Sequence, residues 1–274
     1  MISMFAQSLP PLLWRACPGI LSGEGGSPAG TARPIPWFAH HFFLILTHMS
    51  NPYQRMWRQA LPLLQNGQVD TDPMIFSKAD TRRGLTLRLR PPAAVLNKVQ
   101  SFQNEARSVE PEQYYYPREE VHLTALTIIS CRSGFGLNQI DAVEYQELIK
   151  NAVEQIAPFR LVFRGITASP GAILIQGFDE SGHLNRLRQL LRENFNTSRL
   201  EHTIDKRYKI ETAHLTVVRF TEKLAKAEAF FNLVKKYRNN DFGVCQATEL
   251  ELVFNDWYHR REHTRQVCIF PLGN

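Results

Sequence analysis

One word is written twice in this chain. Residues 121–130 read VHLTALTIIS and residues 213–220 read AHLTVVRF. Each sets His-Leu-Thr inside a short apolar run rich in β-branched residues, and such runs predict strands. Side chains at i and i+2 of a strand share a face, roughly 7 Å apart along the backbone. His122 and Thr124 therefore stand on one face and Val121, Leu123 and Ala125 on the other. Likewise His214 and Thr216 oppose Ala213, Leu215 and Val217. The odd-numbered sets are wholly apolar and mark the core side. Any fold open to this chain must turn two such strands so that their second faces meet something polar.

The surroundings repeat with the word. GLTLRLRPP (84–92) has leucines at 85, 87 and 89, the period of a strand, and its prolines can open a helix. In the following AAVLNKVQSFQNEA, Val95, Val99, Phe102 and Ala106 fall on one helical face. A polar loop containing YYYP then leads to the His122 strand. In the second copy, RLVFRGITA and AILIQGF flank Ser169-Pro170-Gly171, which predicts a hairpin. A helix with Leu184, Leu187, Leu190, Leu191 and Phe195 follows, then a basic loop and the His214 strand. Further helices are expected before Gly67, over 139–156 with Val143, Ile149 and Val153 in its apolar stripe, and over 222–237. The C-terminal ATELELVFNDW and TRQVCIFPL predict another hairpin. Two copies imply two related lobes rather than a solenoid. The expected fold class is α+β and bilobal: two pseudo-symmetric lobes with antiparallel sheets facing a central cleft and helices outside.

Composition narrows the setting. SGEGGSPAGTARPIP (22–36) is linker-like, and the apolar WFAHHFFLILTHM (37–49) is too short to span a bilayer. Residues 1–48 are thus expected to be a poorly structured N-terminal extension, with a membrane-surface tether as the alternative, and 49–274 the folded domain. The four cysteines form no CxxC pair, and a chain of 274 residues has no need of disulfide staples. Free thiols in a reducing, cytoplasmic compartment are expected. No Cys/His cluster has zinc spacing, so neither a metal nor another cofactor is indicated. The formal net charge of +6 suits an anionic ligand.

Two imidazoles and two hydroxyls brought into one cleft suit a particular chemistry. Imidazole titrates nearest neutrality, so one ring can take a proton while a second gives one. A threonine hydroxyl donates a hydrogen bond without adding charge. In-line displacement at a phosphodiester needs a base on the attacking oxygen, an acid on the leaving oxygen, and donors on the oxygens between them.

With both H-L-T motifs and their context in view, the sequence resembles the 2H phosphoesterase superfamily, and within it the 2′-5′ RNA ligase-like and RNA cyclic phosphodiesterase branch. The resemblance runs over roughly 82–274 and includes PFRLVFRGITASPGAILIQGF and the terminal CIFPL. It implies His122 and His214 as general acid and base, in an order left open, and Thr124 and Thr216 as phosphate donors. The arginine that often follows the second motif would be Arg219. Strict alternation points Arg219 away from His214, so a bulge or strand end would have to re-aim it. The implied function is a metal-independent phosphodiesterase acting on 2′,3′-cyclic or 2′-5′-linked ribonucleotides or RNA, able to run in reverse as a ligase. The implied partner is RNA or a small nucleotide, with no membrane, and the protein is expected to be a monomer. The alternative is a non-catalytic RNA- or nucleotide-binding module on the same fold. QYYYP (113–117) reads as a loop packed on the core or a base-stacking platform. Thr86, Arg88 and Arg90 read as a strand face that is either solvated or lines the cleft. WYHRREHTR (257–265) reads as a basic hairpin loop, and Asp205 and Glu211 as residues that could orient an imidazole.

Overall fold

Strand alternation and helical stripes place the elements where the sequence puts them, and their pairing builds the cleft. A computed structural model describes residues 51–273. The expected extension over 1–48 lies outside the described residues. In chain order the described elements are α1 (Pro52–Gln65), β1 (Arg83–Leu89), α2 (Ala93–Val109), β2 (Tyr114–Tyr115), β3 (Leu123–Arg132), α3 (Ala142–Val153), β4 (Phe159–Ser169), β5 (Ala172–Asp179), α4 (His183–Thr197), β6 (Ala213–Arg219), α5 (Ala227–Lys236), β7 (Asp241–Ala247), β8 (Glu249–Asp256) and β9 (Arg265–Pro271). Leu85, Leu87 and Leu89 of β1 are buried, as are Val95, Val99, Phe102 and Ala106 of α2. Asp141 caps α3 by accepting from the Val143 amide at 2.9 Å. This helix turns Tyr145, Ile149, Ala152 and Val153 inward and leaves Val143 60% exposed. The face is thus rotated from the expected stripe, because α3 packs against α4 and β9 rather than flat on one sheet. The β4–β5 hairpin closes at Ser169 and Ala172, around Pro170-Gly171.

All strands join one antiparallel sheet in the order β7-β4-β5-β6-β3-β1-β8-β9, with β2 beside β6. Two four-stranded halves, β6-β5-β4-β7 and β3-β1-β8-β9, meet edge to edge between β6 and β3. The fold is α+β, with two related halves and helices on the outer side. The two expected sheets are continuous through a single residue pair, Leu123 with Leu215. The helices cross over. Helix α2, which follows β1, packs on β6, β7 and α5, and α4, which follows β5, packs on β3 and α3.

A seam one residue pair long leaves backbone carbonyls without ladder partners, and buried carbonyls need them. Each crossing helix supplies one side chain. Arg188 of α4 is buried and donates from Nε to the carbonyl of Ala125 (2.8 Å) and from Nη2 to those of Thr124 (3.2 Å) and Thr212 (2.8 Å). Gln103 of α2 donates from Nε2 to the carbonyls of Tyr116 (2.9 Å) and Val217 (2.8 Å). Burial pulls the Arg188 guanidinium down to about 10. The strands can therefore part on either side of the central pair without orphaned acceptors.

Helix α1 locks the neighbouring β5–β6 pair. Its first turn is capped by Asn51, which accepts from the Tyr53 amide at 2.9 Å. The buried Tyr53 hydroxyl sits between Gly177 and Ala213, near both carbonyls (2.8 and 2.9 Å) and both amides (3.2 and 2.9 Å). A Cβ at position 177 would collide with the Ala213 carbonyl, so only glycine lets the strands and the phenol share this space. Tyr53→Phe strands these buried groups and is expected to lower stability by about 1–3 kcal/mol. A denaturant midpoint unchanged from wild type would contradict this account.

Candidate functional site

The two H-L-T words lie against each other across the seam. Leu123, Ala125, Leu215 and Val217 are buried on the helix side, while His122, Thr124, His214 and Thr216 are half-buried on the other face. Antiparallel pairing of Leu123 with Leu215, stepped one residue either way, sets His122 opposite Thr216 and Thr124 opposite His214. Each histidine then faces the other motif's threonine, and the two histidines are diagonal neighbours, a relation that spans about 7–8 Å in a regular ladder. All four side chains line a single cavity of 440 Å³, a size suited to a small-molecule site.

Arg219 lines the same cavity. The pairing of β5 with β6 runs from Leu174–Thr216 directly to Ile173–Val218, so Val217 is an extra, bulged residue. The bulge reverses the alternation: Val217 and Val218 are both buried and Arg219 emerges on the histidine side. There its Nε donates to the Tyr116 hydroxyl at 3.2 Å, its Nη1 lies 3.6 Å from Asp72 Oδ2, and its guanidinium carbon stands 5.3 Å from the Tyr258 ring centroid.

The imidazoles differ in their partners. His122 Nδ1 lies 2.7 Å from the Glu120 carbonyl oxygen, which only accepts. The ring hydrogen is thereby placed on Nδ1, and Nε2 carries the free lone pair. His214 Nδ1 lies 2.8 Å from the Thr212 hydroxyl, which can either donate or accept and so suits both protonation states. Burial pushes His122 down to about 3; the Glu120 carbonyl opposes this, while Arg88, His214 and Arg90 add to it. Burial, with Arg188 behind it, pushes His214 down to about 4.

Residues 91–256, which contain both motifs, match the family model of the 2'-5' RNA ligase superfamily. The chain belongs to that superfamily. Among solved structures it is similar to TT0787 of Thermus thermophilus at 17% identity, with a TM-score of 0.51 over 70% of this chain and 99% of that one. E. coli LigT complexed with 3'-AMP is 14% identical, with a TM-score of 0.47 over 70% and 99% of the two chains. ATU0111 from Agrobacterium tumefaciens is 14% identical, with a TM-score of 0.48 over 77% and 98%. At 17% identity the likeness to TT0787 is one of fold. No curated protein matches the chain.

Around the superfamily's paired motif the structure decides between readings that the sequence left open, and adds side chains that it did not single out. Thr212 holds an imidazole, whereas Glu211 pairs with Arg55 (2.9 Å) and Asp205 with Arg192 (2.6 Å). Tyr116, within YYYP, is buried at the cavity wall and touches Arg219. Thr86 reaches the cavity, while Arg88 is buried beside it and paired with Glu251 at 2.9 Å. The turn after β8 contributes Trp257, Tyr258 and His259 to the cavity wall. A run of three ring-bearing residues beside a polar strand end was the available signal, but no spacing rule connects it to either motif. Among the described residues no helix is long and apolar enough to cross a membrane.

Proposed function

We propose that this member of the 2'-5' RNA ligase superfamily is a phosphodiesterase that hydrolyses 2′,3′-cyclic or 2′-5′-linked ribonucleotides or RNA by two-histidine acid–base chemistry, without a metal ion. The observation that carries this reading is the crossed placement of the two H-L-T words, which gives each side of one cavity an imidazole and a hydroxyl. His122, with its Nε2 lone pair free, takes the proton of the attacking water. The water oxygen bonds to phosphorus as the bond to the leaving ribose oxygen breaks, and His214 delivers its proton to that oxygen. Thr124 and Thr216 donate to the non-bridging oxygens, and Arg219 meets the charge that builds on them. With a ribose hydroxyl in place of water, the same acid–base steps bond that hydroxyl oxygen to the phosphorus of a cyclic phosphate as the bond to one ring oxygen breaks and that oxygen takes the proton, so hydrolase and ligase chemistry share one site.

The polarity follows from the environment. The Glu120 carbonyl holds the His122 hydrogen on Nδ1 and leaves Nε2 to accept, whereas the Thr212 hydroxyl can accept from a protonated His214, so His214 is assigned the proton. In the free enzyme burial holds both imidazoles below their ordinary range. The rate kcat/KM is therefore expected to fall as pH rises through and above the range where His214 deprotonates, on the acid side of an ordinary imidazole. An anionic phosphodiester favours imidazolium, so the kcat profile should lie at higher pH than that of kcat/KM. Both profiles, taken in excess EDTA on a panel of cyclic phosphates, dinucleotides and 2′-5′ oligomers, test the reading. Turnover that vanishes with EDTA, or a kcat/KM that climbs through neutrality, would refute it. A protein that holds phosphate ligands yet turns over none of the panel would be a binding module.

A further inference from the structure

The turn from β8 to β9 carries a histidine that no motif announces. His259 is 7% exposed and adopts φ +60°, a backbone region that few residues with a Cβ occupy. Its ring centroid lies 3.9 Å from that of His122, with 32° between the planes. The Asn255 side-chain amide nitrogen, which can only donate, sits 3.0 Å from His259 Nε2. The ring hydrogen is therefore on Nδ1, and that atom is buried with no partner among the described residues. An uncommon backbone conformation and an orphaned polar atom together are costs that packing alone does not require. A buried leucine would fill the space without the orphan.

We propose that His259 is a positioning residue for His122: the stacked ring fixes the plane in which His122 Nε2 faces the cavity and keeps water off the ring's other face. This rests on the two-histidine reading above. Around His122 stand Arg88 of β1 and Arg90 just beyond its end, Glu251 of β8 paired to Arg88, His214 of β6, the Glu120 carbonyl, and His259. Only His259 covers a ring face by stacking among these neighbours. Burial holds His259 itself well below the ordinary imidazole value, with His122 and Arg88 adding to the effect, so the stack is one of neutral rings. Two neutral rings pack against each other at this tilt without repulsion, and a proton on both would set like charges in contact.

Two variants separate stacking from simple filling. His259→Asn tolerates the positive φ and keeps an acceptor for Asn255, but removes the ring. It is expected to lower kcat by about 10- to 100-fold with KM within about twofold, since a loosened base is misplaced rather than lost. ¹⁵N-imidazole NMR of the unliganded protein should show His122 as the neutral Nδ1–H form well below the usual imidazole midpoint in wild type, with its titration moving up towards that midpoint in His259→Asn. His259→Phe restores the stack and should restore both kcat and the His122 titration. Unchanged kcat and titration in His259→Asn, or a folded His259→Phe as impaired as His259→Asn, would overturn the proposal. Should His259→Phe fail to fold, the His122 titration in wild type and His259→Asn still decides. An inactive His122→Ala beside a silent His259→Asn sinks this inference alone, whereas an active His122→Ala sinks the two-histidine reading itself.

Discussion

Alanine at His122 or at His214 is expected to lower turnover of a 2′,3′-cyclic ribonucleotide by about 10²–10⁴-fold, the usual worth of a positioned acid or base. Both rings are half-buried at the cavity wall rather than packed in the helix-side core, so each variant should keep its fold. Thermal unfolding of the purified variants checks that condition. The double variant should lose little beyond the worse single one, because acid and base act in one step. The assigned polarity adds a sharper expectation. An aryl phosphodiester, whose leaving oxygen needs no proton, should recover much of its rate in His214→Ala and none in His122→Ala. Recovery in the other variant would reverse the roles, and wild-type turnover in either would remove the mechanism.

Arg219 is expected to carry the next largest effect. Arg219→Ala should reduce kcat by about 10²–10³-fold, as loss of a donor aimed at developing charge does. Arg219→Lys should recover little. The lysine ammonium lacks the planar fork, and the present side chain is held by the Tyr116 hydroxyl, by Asp72 and by the face of Tyr258. Steady-state kcat and KM for both variants test this. A lysine variant with near-native kcat would reduce Arg219 to a generic positive charge. A change confined to KM would make it a ground-state binder.

Local periodicity was legible, and what depended on distant pairing was not. The leucines of β1, the apolar faces of α2 and α4, and the Pro-Gly hairpin follow from rules that act within one or two turns of chain, and the structure reproduces them. So does the division of each H-L-T strand into an apolar and a polar face. The register that crosses His122 with Thr216 was beyond reach, since it is fixed by two segments some ninety residues apart. Arg219 shows the boundary well. Alternation alone turns it away, and only the ladder shows that Val217 is the extra residue. Its trace in the sequence is the adjacent pair Val217-Val218, which a single-faced strand would not bury together. Strand β7 escaped notice because its alternation is broken by Gly243 at φ +103°. His259 and Thr212 escaped because their meaning lies in a neighbour brought in by tertiary packing.

The crossing of α2 and α4 over the seam means that neither half wears its own coat. Strain introduced beneath α2, at Phe102 for example, is nearest in sequence to His122, yet that helix rests on β6, the strand bearing His214. Damage on one side of the molecule thus travels first to the opposite imidazole. Alignment of the two rings is governed by the same contacts that bind the halves into one body, so loosening the hydrophobic interior and spoiling the chemistry become a single event.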